Sequence, residues 1–223
     1  MELILAVDIK ENQVVHGKSG NRANYFPLDW GLASTTELTG YVRELNPKFL
    51  YIADLDRIEG TGDHEEIIKS CAKQVKKLYC DRGSRGPDDI IHDPAIIPIF
   101  GTETIENGFF SRLSGFLSVD LKEELVIPSR INPISILTEA DNSHLDGCII
   151  LDITGVGTGK GVDVTRLTQY RKAYHGTLFY GGGVRDGQDL DILDSCGYDG
   201  AIVATAVHTK AIPLDAIQRG TWS

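Results

Sequence analysis

The stretch VDLKEELVI (119–127) closely matches the stretch VDIKENQVV (7–15). The two copies begin at positions 7 and 119, an offset of 112, which is half of a chain of 223 residues. Each copy has an apolar run interrupted by aspartate, then charged residues and a second apolar run. We take this repeat as the feature that decides the fold, because two copies of one unit predict two halves with the same elements.

Three further pairs of segments occur in the same order in both halves. They are EGTG (59–62) with VGTG (156–159), DRGSRGPDDI (81–90) with GGGVRDGQDL (181–190), and FGTE (100–103) with VATA (203–206). Four ordered matches argue against chance. We therefore predict one domain, residues 1–223, made of two half-barrels at about 1–112 and 113–223. The uneven offsets indicate insertions in the first half, the longest at 16–31, which we expect to form a loop over the site.

Eight short apolar runs alternate with amphipathic segments along the chain. The candidate strands are 3–8, 49–54, 77–80, 96–101, 116–121, 148–153, 177–182 and 200–205. Strands that are apolar throughout are typical of a parallel sheet buried on both faces. Eight of them alternating with helices predict an α/β fold, the (β/α)₈ TIM barrel. A doubly wound sheet has fewer strands, and it would leave the repeat of the two halves as a coincidence.

Composition narrows the classes of function. The net charge of −10 argues against nucleic-acid binding, and no apolar run is long enough to span a membrane. The N-terminus has no basic leader, and the four cysteines form no CxxC pair, so we expect a cytoplasmic location with cysteines buried as small hydrophobes. The six histidines show no metal-ligand spacing.

Aspartates at strand ends are the candidate chemical groups, because barrel active sites lie at the carboxyl ends of the strands. Asp8 and Asp120 hold equivalent positions in the two copies of the repeat. Opposed carboxyl groups suit a general base and a general acid, whereas a solvated or structural aspartate is the plainer interpretation of each alone. For the second symmetric pair, Asp54 and Asp152, we favour an orienting role for loops over direct chemistry.

Glycines after the seventh strand predict an anion site, since backbone without side chains can approach a phosphate. The residues concerned are Gly182 and Gly183, with Ala204 and Thr205 after the eighth strand; their first-half counterparts are Gly83, Arg85, Gly101 and Thr102. Arg82 and Arg85 either meet a phosphate there or pair with Asp88 or Asp89. Thr158 lies in TGVGTGKG (154–161), which is either a substrate loop or a solvated hinge.

Together these segments resemble the phosphoribosyl isomerases and cyclases of histidine biosynthesis (HisA and HisF), over nearly the whole chain. The motifs are LAVDIKENQVVHGK, YIADLD, FGTETIE, FLSVDLK, LDITGVGTGKG, YGGGVRDGQDL and GYDGAIVATAVH, in that order. The resemblance implies a duplicated half-barrel that binds a substrate with a phosphate at each end.

In the isomerase branch, the resemblance implies an Amadori rearrangement of a phosphorylated ribosyl-aminoimidazole carboxamide from aminoaldose to aminoketose. Asp8 would be the base and Asp120 the acid, with no metal and no organic cofactor. The only partner implied is a small sugar phosphate. The cyclase branch fits less well, because its basic residue near the start of the first strand is Glu2 here. We therefore do not expect an obligate glutaminase partner.

Three departures from the family pattern leave the substrate open. The first-half glycine-rich turn reads DRGSR (81–85), so that Asp81 stands where an anion should sit. Val156 and Leu151 replace an aspartate and a threonine, and EELVIPS (123–129) replaces an aromatic-bearing loop. The alternatives are a diverged paralogue that acts on a smaller sugar phosphate and a non-catalytic barrel that binds a phosphate ligand.

Overall fold

A computed structural model describes residues 1–105 and 113–222, so Glu106, the last residue of the FGTETIE motif, lies outside the described residues. Its strands are β1 (Glu2–Lys10), β2 (Gln13–Val15), β3 (Phe49–Asp54), β4 (Lys77–Asp81), β5 (Ile96–Gly101), β6 (Phe116–Lys122), β7 (Leu125–Val126), β8 (Gly147–Asp152), β9 (Leu178–Gly181) and β10 (Gly200–Val203). Eight of them pair in parallel in the order β1-β3-β4-β5-β6-β8-β9-β10, and β10 pairs with β1 to close the barrel. The predicted TIM barrel is confirmed, with its strands close to the predicted positions.

The two remaining strands, β2 and β7, are the second strands of hairpins formed by the repeated segments 7–15 and 119–127. β2 pairs antiparallel with β1, and β7 pairs antiparallel with β6. Both hairpins turn through two residues with positive φ, Glu11 and Asn12 in one and Glu123 and Glu124 in the other. Positive φ at both turn positions matches the right-handed twist of the flanking strands. The repeat therefore extends to the backbone conformation of its turns.

Helices cover the outside of the barrel. They are α1 (Leu38–Leu45), α2 (Leu55–Glu59), α3 (Glu65–Ala72), α4 (Pro133–Asp141), α5 (Val164–Ala173), α6 (Gly187–Ser195), α7 (Thr205–His208) and α8 (Leu214–Arg219). Residues 82–95 between β4 and β5, all described, contain no helix. Gly86 and Pro87 interrupt this segment, whereas α6 at the equivalent place buries Leu190 and Leu193.

An aromatic layer fills the amino-terminal half of the barrel. Phe116 and Phe179 stack with ring centroids 4.9 Å apart, and Tyr79 meets both rings edge-on. The Tyr79 hydroxyl donates to Glu2, the first residue of β1, at 3.0 Å. These side chains fill the amino-terminal end of the barrel, and a cavity lies toward the carboxyl ends of the strands.

The cysteines are free thiols, as the sequence indicated. Cys71, Cys80 and Cys148 are buried among apolar side chains, and Cys196 is half-buried. Burial raises the pKa of the Cys71 and Cys148 thiols to about 12. In the part of the chain that the structure describes, no helix has both the length and the apolar character needed to cross a membrane.

Candidate active site

A cavity of about 500 Å³ opens at the carboxyl ends of the barrel strands. The predicted loop 16–31 forms part of its wall, with Gly17, Arg22 and Tyr25 among the lining residues. This loop is tied to the segment after β8, since the Ser19 N–H donates to the Val156 carbonyl at 3.0 Å. The prediction that the loop lies over the site is confirmed.

Asp120 ends the apolar run of β6 and is held firmly at the cavity wall. Its Oδ1 accepts from the Ser118 hydroxyl at 2.6 Å, and its Oδ2 accepts from the Glu103 N–H at 3.1 Å and the Thr102 hydroxyl at 3.3 Å. Burial, and secondly the nearby Asp81 carboxylate, raise the pKa of Asp120 to about 7. Asp120 can therefore hold a proton near neutral pH.

Asp8 lies on β1, four strands away from β6 around a closed barrel of eight, and so on the opposite wall. The absence of a side chain at Gly17 makes room for it, because a Cβ there would stand 2.3 Å from Asp8 Oδ2. Burial raises the pKa of Asp8 to about 6, and the Arg22 guanidinium opposes this rise. At neutral pH Asp8 is mostly a carboxylate that can accept a proton.

Asp81, at the end of β4, supplies a third carboxyl group on the wall. Its Oδ1 accepts from the Gly83 N–H at 3.1 Å and its Oδ2 from the Tyr51 hydroxyl at 3.3 Å. A Cβ at Gly101 would stand 2.9 Å from Asp120 Oδ2 and 3.8 Å from Asp81 Oδ2, so the bare glycine admits both carboxyl groups. Burial raises the pKa of Asp81 to about 6. Its position at a strand end was expected from the sequence, but the closeness of its carboxyl group to that of Asp120 was not.

Arg22 and Glu103 form an ion pair over these carboxyl groups, with two N–H···O bonds of 2.8 Å each. We call the set Asp8, Asp81, Glu103, Asp120 and Arg22 the acidic end of the cavity. Arg22 and Glu103 lie in different loops, 81 positions apart in the sequence, so no local pattern could reveal their ion pair. No group of three or more His, Cys, Asp or Glu side chains among the described residues could hold a metal ion.

Another part of the cavity wall, after β9 and β10, is formed by Gly182, Gly183, Ala204 and Thr205, which we call the glycine-rich end; β9 lies four strands from β4, which ends at Asp81. Gly182 and Gly183 have φ of +100° and +81°, in the region that favours glycine. The His16 Nε2 lies 3.3 Å from the Thr205 hydroxyl, within hydrogen-bond distance. The four residues predicted to bind a phosphate in the second half therefore share one wall of one cavity.

We predict that Gly182→Ala destabilises the protein and removes anion binding. A Cβ at this position would stand 2.2 Å from the Asp152 carbonyl oxygen, and an L-residue at φ of +100° adds strain. We expect a loss of about 2 kcal/mol or more in the free energy of unfolding, since left-handed backbone alone costs about 1–2 kcal/mol for a residue with a side chain. Urea unfolding and titration with inorganic phosphate measure the two effects.

Gly86→Ala is the matched control, because nothing lies within 4 Å of a Cβ there and its φ is not positive. An equal loss of stability in both variants would contradict the steric argument.

The first-half counterparts do not line the cavity. Gly83 donates its N–H to Asp81, Thr102 exchanges hydrogen bonds with Asp120, and Gly101 lies beside both carboxyl groups. The Arg85 side chain is exposed, and its N–H, like that of Arg185 in the second half, donates to the aspartate four residues on. The expected pairing of Arg82 with Asp88 or Asp89 is wrong.

The Arg82 guanidinium instead reaches Asp63 and Glu65, the latter at 2.9 Å, at the start of α3. The competing partner for Asp89 is Arg57, whose guanidinium donates to it at 2.6 Å. Side-chain partners from another loop thus displaced the local ones that the sequence suggested.

The remaining predicted residues have local partners. Asp54 is fully buried and accepts from the N–H of Arg57, in the first turn of α2, and from the His64 N–H and Nδ1. Asp152 accepts from the Gly155 N–H at 3.1 Å and does not line the main cavity. Thr158 lines the cavity, and its hydroxyl donates to the Gly155 carbonyl at 2.7 Å.

We predict that Asp120 makes the protein less stable as the pH rises. Its pKa is near 7 in the folded state against an ordinary 3.8, so between these values the unfolded chain releases a proton that the folded chain keeps. The contribution of Asp120 to stability is therefore fully present below about pH 4 and is lost as the pH rises through 7. At about 1.4 kcal/mol per pKa unit, the fall attributable to this group is about 2–4 kcal/mol.

Urea unfolding of Asp120→Asn across this pH range measures the effect. Relative to wild type, the variant should gain stability from pH 4 to pH 8. A constant difference between the two proteins would contradict the prediction. Asp146→Asn is a control that removes a carboxyl group outside the cavity wall.

Comparison with known proteins connects this geometry to a family. The model of the histidine biosynthesis protein family matches residues 113–213. An uncharacterized protein of Methanocaldococcus jannaschii is 29% identical over 226 residues, covering 97% of each chain. A Thermus thermophilus protein named 1-(5-phosphoribosyl)-5-((5-phosphoribosylamino)methylideneamino)imidazole-4-carboxamide isomerase is 24% identical over 235 residues, covering 96% of this chain and 97% of its own. Phosphoribosyl isomerase A of Streptomyces coelicolor is 24% identical over 247 residues, covering 99% of this chain and 98% of its own.

Proposed function

We propose that the chain is an intramolecular aldose–ketose isomerase of the Amadori type, because its residues 113–213 match the histidine biosynthesis protein family and two relatives that are 24% identical over nearly the whole chain are named as isomerases. Its substrate is an aminoaldose that carries a phosphate. The observation that supports this most directly is a pair of carboxyl groups, Asp8 and Asp120, on opposite walls of one cavity with pKa values of about 6 and 7.

Asp120 is the proposed general acid. In its protonated form it donates to the ring oxygen of the sugar, the C1–O bond breaks, and the nitrogen lone pair forms an iminium at C1. The hydrogen bonds from Ser118 and Glu103 fix the orientation of the carboxyl group while burial keeps its proton in place near neutral pH. The step leaves Asp120 as a carboxylate.

Asp8 is the proposed general base. Its carboxylate removes the C2 proton, the C–H electrons form a C1–C2 double bond, and the iminium nitrogen becomes neutral. The resulting enol tautomerises to the ketone as its hydroxyl proton is lost and C1 is protonated. The reaction thus needs one proton donor and one acceptor on different parts of the sugar, which two opposed carboxyl groups can serve.

The glycine-rich end is the proposed phosphate site. Gly182 and Gly183 bring bare backbone to the cavity wall, next to Ala204 and Thr205. An anion held there would fix the sugar between the two carboxyl groups. Such positioning supplies a large part of the rate enhancement in enzymes of this kind.

Turnover of purified protein with a 5-phosphorylated N-ribosylamine tests the proposal, with the ketose detected by NMR. Ketose formation that depends on both Asp8 and Asp120 would support it. Growth of an isomerase-deficient histidine auxotroph that expresses this chain tests the family's own ribotide as substrate. Absence of turnover with every aminoaldose phosphate tried, while inorganic phosphate binds normally, would contradict it.

A further inference from the structure

We infer that the acidic end of the cavity selects against a second phosphate and takes a hydrogen-bond-donating end, an amine or hydroxyl groups, of a singly phosphorylated substrate. This inference rests on the proposed function for the identity of the anchored end. It adds the substrate class, and it is argued from the two halves of this molecule and from the charges on the cavity wall.

The two halves differ at the position where the second half offers bare backbone. Residues 81–85 correspond to 181–185, because the N–H groups of Arg85 and Arg185 donate to Asp89 and Asp189 in the same way. In the second half the turn is Gly181, Gly182, Gly183. In the first half the first two of these are replaced by Asp81 and Arg82.

The replacement closes the first-half turn to an anion. The Gly83 N–H, equivalent to that of Gly183, already donates to Asp81 Oδ1 at 3.1 Å. Arg82 lacks the positive φ of its counterpart Gly182, and its side chain is directed to Asp63 and Glu65. The helix that follows the second-half turn is also missing here, because residues 82–95, all described, form none.

The Arg85 side chain is exposed and does not line the cavity, whereas other cationic side chains around this turn are paired with carboxylates. Arg57 pairs with Asp89 at 2.6 Å and Lys10 pairs with Glu59 at 3.1 Å. Arg22 does face the cavity, but both of its terminal nitrogens bind Glu103. A phosphate inside the cavity at this end would have to break the ion pair of Arg22 with Glu103 to obtain a counter-charge from a lining residue.

The wall itself is acidic. Among the described residues that line the cavity, four carry carboxyl groups (Asp8, Asp81, Glu103, Asp120) and two carry guanidinium groups (Arg22, Arg185). Arg185 is held by Asp189 with bonds of 3.0 and 2.7 Å. An ionised carboxylate only accepts hydrogen bonds, so it pairs with donors and repels a phosphate, more strongly where water is excluded.

A set of linear alkyl phosphates of matched length tests the inference by calorimetry. One bears a terminal amine, one a hydroxyl and one a second phosphate, and several chain lengths are compared. We expect wild type to bind the best amino-phosphate at least about tenfold more tightly than the corresponding bisphosphate, a difference of about 1.4 kcal/mol. Asp81→Gly, which restores the residue present at 181, should reduce this ratio severalfold or more.

Asp81→Asn removes the charge and keeps an acceptor for the Gly83 N–H, so it should shift the ratio in the same direction even if the glycine variant does not fold. Asp88→Asn, an exposed carboxyl group in the same loop, should leave the ratio unchanged. A bisphosphate that binds wild type as tightly as the amino-phosphate would overturn the inference. So would failure of the amino-phosphates to bind, or an equal shift in Asp88→Asn.

Binding needs no turnover, so the two proposals can fail separately. If the affinities follow the expected order but no aminoaldose phosphate is isomerised, the inference about selectivity holds and the proposed function is refuted. Isomerisation with equal kcat/KM on singly and doubly phosphorylated substrates would do the reverse.

Discussion

Asp8→Asn should lower kcat by about 10²–10⁴-fold with little change in KM, the usual contribution of one general base. The amide has nearly the same shape as the carboxyl group but cannot remove the C2 proton. Burial raises the pKa of Asp8 to only about 6, so wild type keeps this base ionised at neutral pH. Steady-state kinetics at pH 7 on a phosphorylated aminoaldose gives the comparison.

Asp29→Asn serves as its control, since Asp29 is exposed on the loop that follows the same hairpin. It should retain wild-type kinetics. If Asp8→Asn also stays near wild type, the assignment of the base is wrong, and Asp81 becomes the group to test, because it is the other wall carboxyl group with a pKa of about 6.

Asp120→Asn should lower kcat by a comparable factor of about 10²–10⁴ and change the pH profile as well. In wild type, kcat/KM should rise as Asp8 ionises near pH 6 and fall as Asp120 loses its proton near pH 7. Removal of the acid should abolish the fall on the alkaline side and leave the rise. The double variant should lose less than the product of the single losses, because the two groups act in one reaction.

Two outcomes would contradict the role of Asp120. One is an alkaline limb that persists in Asp120→Asn, which would assign that limb to another group. The other concerns a substrate whose sugar ring is already open and needs no acid. Asp120→Asn should slow its turnover less than that of the aminoaldose, and an equal loss would be the contradicting result. The second outcome would indicate that the substitution damages the site as a whole.

The sequence was sufficient for the barrel because its information is local. Each barrel strand is a short apolar run, and the hairpins β1–β2 and β6–β7 share the first of their two turn residues, Glu11 in one and Glu123 in the other. The missing helix at 82–95 was not predicted, although Gly86 and Pro87 are its sequence signal. The division into half-barrels at about residue 112 stays a prediction.

The candidate site could be predicted only in part. Asp8, Asp120 and the glycine-rich end all follow barrel strands, and they line one cavity, as the fold led us to expect. The pairing of Arg22 with Glu103, and that of Arg82 with Asp63 and Glu65, depends on how separate loops meet above the barrel. No spacing in the sequence encodes such contacts, and they decide which cations remain available to a substrate.

The loss of the C2 hydrogen tests the central claim most directly. A phosphorylated aminoaldose deuterated at C2 is incubated with the protein, and NMR follows ketose formation and the fate of the label. Removal of C2–H by Asp8 predicts a primary isotope effect on turnover, and both ketose formation and loss of the label slowed by about 10²–10⁴-fold in Asp8→Asn. Ketose formed at the wild-type rate by Asp8→Asn, or label retained at C2 while substrate is consumed, would contradict the account.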